Sequence, residues 1–491
     1  MDYISTMQIA RASLISMRNR LRRALAIGIA RAAGPASTLA GHHGTAIPGY
    51  LAERIDPSIL TTLGTGVAPV VLVIGANGKT TTTRLITAIL ERTHGSRVVT
   101  NRSGANLRQG IVTALLAQSG GGRSWSPGVL EVDELAFRSV AADLHPTVVV
   151  IMNLLRDQLD RYGEIDAVAD RLARDLQALP AGTTLVTCAD DPRVEALAAS
   201  ASRRVYRFGL AERRKTQPDH PDMSDGRALP ASDPLPCPRC GRAVAIDRPA
   251  TNGLGMWRCA CGQERHRPDV AARIDSDRAG WIELEFDGPL IRGPSSPPLE
   301  HVRVGLAGAA GAHDAAAAVL TAIILGVDPR QAVAAIDHAT PAFGRLEELD
   351  VGDRRVVLTL AKNPASVAAA AAAVVSRRPD GLLIGLADRH ADGRDVSWIW
   401  DAPLDHLLEI APTTLTGCRA DDLALRFKYA LGSRILSGDR PVVDPALEHA
   451  LDGSLQRVQP GGTLFVLGTY TALLGIRTVL ERRGLAPALP R

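Results

Sequence analysis

The sequence is poor in aromatic residues and in lysine. Phe, Trp and Tyr make up 3% of its 491 residues, and only four of its 56 basic residues are Lys. It contains no run of about 18 uninterrupted apolar residues, so we expect no transmembrane helix. Arginines interrupt the apolar residues near the N-terminus, so we expect no secretory signal peptide either. A formal charge of +4 is too small for this length to indicate a nucleic-acid-binding protein.

The pattern of apolar segments predicts an α/β fold with more than one domain. A chain of this length exceeds one hydrophobic core. Apolar runs such as VAPVVLVIG (67–75) and segments such as SRVVTN (96–101) alternate with helical patterns, which indicates a doubly wound parallel sheet. The alternation resumes after FGRLEELD (343–350). We predict a basic segment at 1–44, a central α/β domain at 45–344 and a Rossmann-like α/β domain at 345–491, with a Gly/Pro-rich link at 34–50 between the first two.

The N-terminal segment contains a basic amphipathic pattern over residues 7–33. Such a helix packs against its own domain or lies on an anionic membrane surface. The sequence leaves both alternatives open.

A phosphate-binding loop is predicted at IGANGKTTTT (74–83), between a strand and a helix. The spacing is G-x-x-G-K-T, with Val73 where the full motif has its first glycine. Successive backbone N–H groups at a helix N-terminus bind anions, the Lys neutralises the terminal phosphates, and the hydroxyl after it binds Mg²⁺. We expect ATP to bind Gly75, Asn77, Gly78, Lys79, Thr80 and Thr81, with Lys79 also catalytic.

Acidic residues follow the next predicted strand, in LEVDE (130–134). Open α/β sheets bind ligands at the carboxyl ends of their strands, and Mg²⁺ prefers carboxylate and phosphate oxygens. Glu131 is the first candidate for a magnesium ligand, shared with Thr80, and a catalytic residue. Glu134 is the second candidate. For each carboxylate, a solvated loop charge is an equally good explanation.

Four cysteines form two pairs, Cys237 with Cys240 and Cys259 with Cys261. Paired thiolates are typical of a closed tetrahedral Zn²⁺ site, so we predict a structural zinc ribbon inserted at about 235–268. Disulfides or free thiols are the alternatives. The second pair is C-x-C rather than C-x-x-C, and we expect that shorter knuckle to be strained. Cys188 and Cys418, outside the pairs, are interpreted as structural.

These motifs together resemble the Mur ligase superfamily and, within it, the MurT group of ligase subunits. The family patterns are matched by GANGKTT (75–81), NLLRDQLDRYG (153–163), CADDP (188–192), GRLE (344–347) and AKNP (361–364). The resemblance implies that ATP and its ions also contact Asn153, Gln158, Arg345, Lys362 and Asn363. Gln158 and Lys362 replace histidines of the amino-acid-adding Mur ligases, as they do in the MurT group. Asp314 and Ala317 replace two family asparagines, which puts the usual adenine contacts in doubt.

The resemblance also implies a reaction and a partner. ATP would phosphorylate the α-carboxyl of D-glutamate in the lipid II stem peptide, and ammonia from a GatD-type glutaminase subunit would then displace phosphate. One aspartate of ADGRDVSWIWDA (391–402) would complete the partner's glutaminase site, beside Trp398 and Trp400 as interface residues. Asp395 is preferred, then Asp392, then Asp401. Alternatively, the tryptophans are core residues and the aspartates helix caps.

Two other functions remain open at this point. One is a Mur or folylpolyglutamate-type ligase that adds an amino acid, and the other is a non-catalytic nucleotide-binding scaffold. Lipid II cannot be distinguished from earlier precursors by sequence. We expect a cytoplasmic protein, with a possible contact at the inner face of the plasma membrane.

Overall fold

The computed structural model describes most of the chain. It covers residues 17–33, 46–95, 97–101, 104–118, 126–155, 164–212, 235–247, 253–278, 281–292, 301–339, 343–389, 391–405, 407, 412–431 and 440–487. Gln158, the N-terminal half of the predicted basic helix, and most of the link after it lie outside these residues.

The first part of the chain forms an α/β domain. In chain order its elements are α1 (residues 17–33), α2 (Ile47–Ile55), α3 (Ile59–Gly64), β1 (Val67–Ile74), α4 (Lys79–His94), α5 (Arg108–Gln118), β2 (Ser126–Glu131), α6 (Phe137–Leu144), β3 (Val148–Ile151), α7 (Ile165–Gln177), β4 (Thr184–Cys188), α8 (Pro192–Ser200), β5 (Arg204–Leu210), β6 (Ala245–Asp247), β7 (Met256–Arg258), β8 (Val270–Arg278), β9 (Trp281–Asp287), β10 (Val302–Val304), α9 (Gly308–Ile324) and α10 (Pro329–Ala335).

Eight strands form its main sheet, in the order β10-β9-β8-β5-β4-β3-β1-β2. Strands β1 to β5 and β8 run parallel, and β9 and β10 extend the sheet antiparallel. β2 lies on one side of β1 and β3 on the other, so the strand order reverses there. In open α/β sheets that reversal opens a crevice at the carboxyl ends of the strands, where ligands bind.

Helix α9 runs through the core of this domain. Its sequence is rich in alanine, and almost all of its residues are buried. It packs against α4, β5 and β8. Small side chains let its backbone approach α4 closely, so the residues on α9 face the start of the helix that follows the phosphate loop.

The C-terminal part forms a second α/β sheet of six strands. Its elements are β11 (Arg345–Val351), β12 (Arg354–Leu360), α11 (Pro364–Arg377), β13 (Gly381–Gly385), a 3-10 turn (Ser397–Trp400), β14 (Thr413–Thr416), α12 (Ala420–Leu431), β15 (Val442–Val443), α13 (Leu447–Arg457), β16 (Thr463–Gly468) and α14 (Tyr470–Arg482). The strand order is β11-β12-β16-β13-β14-β15, parallel except for the β11–β12 hairpin. The parallel α/β architecture predicted from the sequence is confirmed for both sheets.

Two local predictions are wrong. Among the described residues of SRVVTN, only Val99 pairs, in an isolated bridge to Gly128 of the edge strand β2, so the segment adds one bridge to the sheet rather than a strand. The predicted link includes Ile47 to Tyr50, which instead begin α2, with Pro48 in the first helical turn where its missing N–H is tolerated.

Helix α1 packs on the central domain through one face. Ala26 and Ala30 are buried, and Arg23 lies 4.0 Å from Asp56. Among the described residues, no helix is long and apolar enough to span a bilayer.

Candidate active site

The phosphate loop lies between β1 and α4, at the crevice. Gly75 has φ 128° and Gly78 has φ 89°, conformations that favour glycine. A Cβ on Gly75 would lie 2.9 Å from backbone atoms of Asn153, and one on Gly78 would overlap the Asp314 carboxylate. Both glycines are therefore needed for close packing as well as for the turn, and Gly78 leads directly into α4.

Lys79 is held at the first position of α4 by an ion pair. Its Nζ lies 2.9 Å from Glu134 Oε1, and both side chains are less than a tenth exposed. The same oxygen accepts a hydrogen bond of 3.0 Å from the Gly75 backbone N–H. Glu134 thus occupies the place where Lys79 and the loop would meet a phosphate group. In this position Glu134 is a partner of the lysine, and its role as the second candidate for a magnesium ligand stays a prediction.

Thr80 and Glu131 lie together on the other side of the loop. The Thr80 hydroxyl donates a hydrogen bond of 2.7 Å to Glu131 Oε2, and Asn106 Nδ2 donates one of 3.2 Å to Oε1. Asn101 bonds to both the backbone N–H and the carbonyl of Glu131, which fixes the carboxylate in place. Asn106 was not predicted, since nothing in its segment marks it as a ligand.

This pair of oxygens fits Mg²⁺. Two oxygens at about 2.1 Å from one ion, at neighbouring octahedral positions, lie about 3 Å apart, close to the Thr80–Glu131 separation. The nearby Asp133 instead accepts a hydrogen bond of 3.0 Å from the Leu135 N–H, so it stabilises a turn.

Three asparagines connect the loop to its surroundings. Asn153, just after β3, accepts a hydrogen bond of 2.9 Å from the Asn77 N–H and donates one of 3.0 Å to the Asn77 carbonyl. Asn363 Nδ2 donates a hydrogen bond of 3.2 Å to Asn77 Oδ1, which joins the domain of the second sheet to the phosphate loop. Its own Oδ1 caps α11 by accepting from the Ser366 N–H at 2.8 Å. The cap therefore orients Asn363 so that the C-terminal domain reaches the phosphate loop.

Lys362 and Arg345 accompany this contact. Lys362 is half-buried, and its backbone N–H donates 2.9 Å to Ser366 Oγ, so it stands next to Asn363 at the start of α11. Arg345 is half-buried at the start of β11 and interacts electrostatically with Asp314. Both residues predicted from the resemblance are therefore near the crevice. Gln158 lies outside the described residues.

Asp314 is a buried carboxyl group directly beneath the loop. It lies on α9, and the hydroxyls of Thr81 and Thr82 hydrogen-bond to it. Burial raises its pKa to about 7, although the Arg345 guanidinium and the Thr hydroxyls act in the opposite direction. Ala317, one turn further along α9, is fully buried and carries no polar group. This helix thus presents one titratable carboxyl group to the first turn of α4.

A buried network beside Asp314 was missed by the sequence analysis. Asp190 is fully buried, and its Oδ2 lies 2.6 Å from His313 Nε2. Its other oxygen pairs with Arg265, and these partners, His313 included, hold the pKa of Asp190 below its usual value despite burial. The CADDP match indicated a turn but gave no reason to pair it with His313, 123 residues further along the chain.

The cysteine segment attaches to the central domain through the same network. Trp257, in the β6–β7 hairpin, is buried, and its Nε1 donates 3.0 Å to the Ala189 carbonyl. Arg265 follows the last cysteine and joins Asp190. The hairpin is therefore fixed to the turn after β4, which in turn contacts α9 through His313.

The four predicted cysteines converge. Cys237 and Cys261 have Sγ atoms 3.6 Å apart, Cys240 and Cys259 3.5 Å, and all four lie within 4.8 Å of one another. Four thiolates at about 2.3 Å from a tetrahedral Zn²⁺ would be about 3.8 Å apart, so the cluster fits that ion. The short C-x-C knuckle closes through Gly262, whose φ of 84° tightens the turn.

The aspartates of residues 391–402 have different environments. Asp392 is buried, and burial raises its pKa. It accepts a hydrogen bond of 2.8 Å from the Thr471 N–H at the start of α14, which lowers the pKa in part. That contact makes it a helix cap. Asp395 is exposed and accepts hydrogen bonds from the Ser397 N–H and hydroxyl at 2.8 and 2.9 Å. Asp401 is also exposed.

The two tryptophans beside them also differ. Trp398 packs on the C-terminal core, whereas Trp400 is 46% exposed. The Trp400 ring lies 5.9 Å from that of Tyr429, itself 69% exposed, and Arg426 stacks on it at 5.7 Å. Arg426 also donates 3.1 Å to the Ile399 carbonyl, which fixes the turn. Exposed aromatic rings held rigidly are typical of protein–protein interfaces.

The remaining two cysteines have different surroundings, and for Cys188 the Sγ, a His313 ring nitrogen and an Asp190 carboxylate oxygen lie within 4.8 Å of one another. Cys188 is fully buried, and burial raises the pKa of its thiol well above the usual value. Cys418 is exposed, and its Sγ lies 3.3 Å from Asp388 Oδ1. A reactive thiol is partly exposed and has a depressed pKa, so the burial and raised pKa of Cys188 favour the structural interpretation, which stays a prediction.

Two family models match the two sheets separately. The model described as "Mur ligase middle domain" matches residues 73–227, and the one described as "MurT ligase C-terminal" matches residues 360–473.

Similar proteins cover nearly the whole chain. "Lipid II isoglutaminyl synthase (glutamine-hydrolyzing) subunit MurT" of Staphylococcus aureus (strain COL) is 32% identical over 416 residues, which are 84% of this chain and 88% of the relative. The protein of the same name from Streptococcus pneumoniae (strain ATCC BAA-255 / R6) is 29% identical over 455 residues, 90% of this chain and 93% of the relative. Among solved structures, MurF from Acinetobacter baumannii (crystal structure II) shares the fold, with a TM-score of 0.61 at 18% identity over 88% of this chain and 80% of that chain.

Proposed function

Since the chain belongs to the MurT family of Mur ligase-like subunits, we propose that it is the ATP-dependent ligase subunit of a lipid II isoglutaminyl synthase. It converts the α-carboxylate of D-glutamate in the lipid II stem peptide into an amide, with glutamine as the nitrogen source, in peptidoglycan biosynthesis. The observation that carries this proposal is the meeting of Asn363, from the MurT-type domain, with Asn77 of the phosphate loop.

The reaction would proceed in two steps. The substrate carboxylate attacks the γ-phosphorus of ATP, and ADP leaves with the electrons of the broken P–O bond. Ammonia then attacks the acyl phosphate, loses a proton, and expels inorganic phosphate. Catalysis of such a transfer rests on positioning and on charge neutralisation.

Lys79 is placed to provide the positive charge. Its ammonium group would exchange Glu134 for phosphate oxygens when ATP fills the loop, because both partners compete for the same position beside Gly75. Thr80 and Glu131 would hold Mg²⁺, which supplies charge neutralisation at the transferring phosphoryl group. Asn153 and Asn363 fix the loop from both sides.

The cysteine cluster would bind one structural Zn²⁺. Four cysteines leave no open coordination position, so the ion would stabilise the hairpin rather than react. The hairpin residues bury little beyond Trp257 and Leu254, and metal binding would supply much of their folding free energy.

A separate glutaminase subunit would supply ammonia. Cys188 is fully buried and the pKa of its thiol is raised, while the thiol of exposed Cys418 donates to the Asp388 carboxylate, so neither thiol is suited to be the glutaminase nucleophile. We propose a GatD-type class I amidotransferase as the partner, docked on Trp400 and Tyr429, with Asp395 completing its catalytic site. Asp395 is preferred over Asp392 because Asp392 is already committed to capping α14. A lipid-linked substrate places the complex in the cytoplasm, in peripheral contact with the inner face of the plasma membrane.

The test is an amidation assay with purified chain, ATP, Mg²⁺ and lipid II. Product formation with ammonium but not with glutamine would support both parts of the proposal, and adding the glutaminase subunit should restore use of glutamine. Lys79→Ala should abolish product with either nitrogen source. Transfer of an amino acid instead of ammonia, or turnover independent of Lys79, would overturn it.

A further inference from the structure

Helix α1 carries an exposed apolar stripe. Its four members are exposed to 56%, 65%, 57% and 40%, in the order Met17, Leu21, Leu25 and Ile29. A spacing of four residues places all of them along one face of an α-helix. Large apolar side chains in a continuous row on a surface mark a site that binds another apolar surface.

The stripe is not needed to attach the helix to its domain. Attachment uses the opposite face, where Ala26 and Ala30 are buried and Ala30 joins the main core. Between the two faces, Arg22 donates a hydrogen bond from its Nε to the Ile55 carbonyl at the end of α2. The second half of α1 therefore attaches to the domain through these alanines, and the stripe lies on the face that points away from the domain.

Arginines flank the stripe on both sides. At 100° per residue, Arg18 and Arg22 fall beside one edge of the stripe and Arg20 beside the other, in the first half of the helix, whereas Arg31 lies about 160° from Ile29 and does not flank the stripe. Residues 17–33 contain no Asp or Glu. The helix therefore combines an apolar row with two cationic margins, the arrangement of helices that lie in the headgroup region of a bilayer.

The same charges disfavour a second copy of this chain as the occupant. Two α1 stripes packed against each other would bring the flanking arginines of both helices together without acidic residues from either helix. An anionic lipid surface satisfies both features, because headgroup phosphates pair with arginine while acyl chains cover the apolar row.

We propose that the α1 stripe, residues Met17, Leu21, Leu25 and Ile29, docks the protein in the plane of an anionic bilayer. This deepens the proposed function, since it names the surface by which a ligase for a lipid-linked substrate reaches that substrate. The contact is reversible, because a single helix face buries few side chains and each arginine near an anionic surface adds only about a fivefold gain in binding.

The experiment is flotation of the purified complex with its glutaminase subunit on vesicles. One vesicle population contains phosphatidylglycerol and phosphatidylcholine, and the other phosphatidylcholine alone. The test variant is L21E/L25E. The matched control is V375E/V442E, which makes the same charge change at two exposed apolar residues of the C-terminal domain, 50% and 46% exposed. Circular dichroism and light scattering of every variant report folding and oligomeric state.

We expect the wild type and the control to float with phosphatidylglycerol vesicles, and about 0.5 M NaCl to weaken that binding. L21E/L25E should bind at least about tenfold more weakly, since two apolar side chains no longer enter the bilayer. Absence of wild-type binding, or equal binding of L21E/L25E, would overturn the proposal. A wild-type dimer that L21E/L25E converts to a monomer would show that a second copy covers the stripe, and would overturn it too.

A second assay separates this inference from the proposed function. Amidation is measured with lipid II in detergent micelles and with lipid II in phosphatidylglycerol vesicles. L21E/L25E should keep its rate in micelles and lose it on vesicles. If the wild type amidates lipid II in micelles but does not bind vesicles, only the docking proposal is overturned. If the wild type binds vesicles but amidates lipid II in neither system, only the proposed function is overturned.

Discussion

Replacing Asp314 by Asn should make the pH dependence of stability shallower. Asp314 is buried under the phosphate loop, and its pKa is raised to about 7 chiefly by loss of water. In the unfolded chain its carboxyl group returns to the ordinary aspartate pKa of 3.8. The folded state therefore binds a proton that the unfolded state releases, over the range between these two values.

The sign follows from proton linkage. The contribution of Asp314 to stability is complete below its unfolded pKa and is lost as the pH rises through its folded pKa. A shift of about three pH units corresponds to about 4 kcal/mol, and about 2–3 kcal/mol of it falls between about pH 5 and about pH 8. Asn does not titrate, so the stability of Asp314→Asn relative to the wild type should rise by that amount over this interval.

Differential scanning calorimetry at about pH 5 and about pH 8 measures the effect. The transition of the central domain is identified as the one that ADP shifts upward. At about 2 °C per kcal/mol, the midpoint difference between variant and wild type should change by about 5 °C. Asp337→Asn, a partly exposed carboxylate of the same domain, controls for loss of one charge. An identical midpoint difference at both pH values would refute the reasoning.

Three further predictions concern single contacts. Gly78→Ala should abolish ATP binding, measured by calorimetric titration, while the fold is retained in circular dichroism, because a Cβ there meets Asp314 and φ is 89°; ATP binding of normal affinity would contradict this. Arg265→Ala should lower the unfolding free energy by about 3–5 kcal/mol in urea titrations, since it leaves the fully buried Asp190 without its cation. The double variant R265A/D190N should regain part of that free energy, and a decrease below about 1 kcal/mol for Arg265→Ala would count against the network. W400A/Y429A should weaken binding of the glutaminase subunit about 30-fold or more in surface plasmon resonance without changing the melting temperature, and Val375→Ala, also at an exposed site, should not; unchanged affinity of the double variant would exclude this patch.

The phosphate loop could be predicted because its chemistry is local. Glycines, Lys79 and Thr80 occupy consecutive positions, and a strand before them and a helix after them fix their geometry. The proximity of Thr80 and Glu131 was predictable for a related reason, since Glu131 ends the strand adjacent to β1, while their binding of magnesium stays a prediction. Glu134 was placed near the site correctly, but its pairing with Lys79 depends on three-dimensional proximity that a pattern does not encode.

The contacts that join distant segments could not be predicted. Asp314 drew attention only as a departure from a family asparagine, and its raised pKa results from burial beneath α4. The Asp190–His313–Arg265 network joins three segments through side chains that are each unremarkable in sequence. The segment 391–402 shows the same limit, because residue type does not distinguish buried Asp392 from exposed Asp395, or packed Trp398 from exposed Trp400.

The central claim is that ATP activates the D-glutamate carboxylate at this phosphate loop. Lipid II carrying ¹⁸O in that carboxylate, incubated with the protein, ATP, Mg²⁺ and ammonium, tests it directly by mass spectrometry of the released inorganic phosphate. The account predicts that one ¹⁸O passes from the carboxylate to phosphate for each amide formed, and that Lys79→Ala gives neither product. Amide formed without ¹⁸O in the phosphate would contradict the acyl phosphate and, with it, the role assigned to the loop.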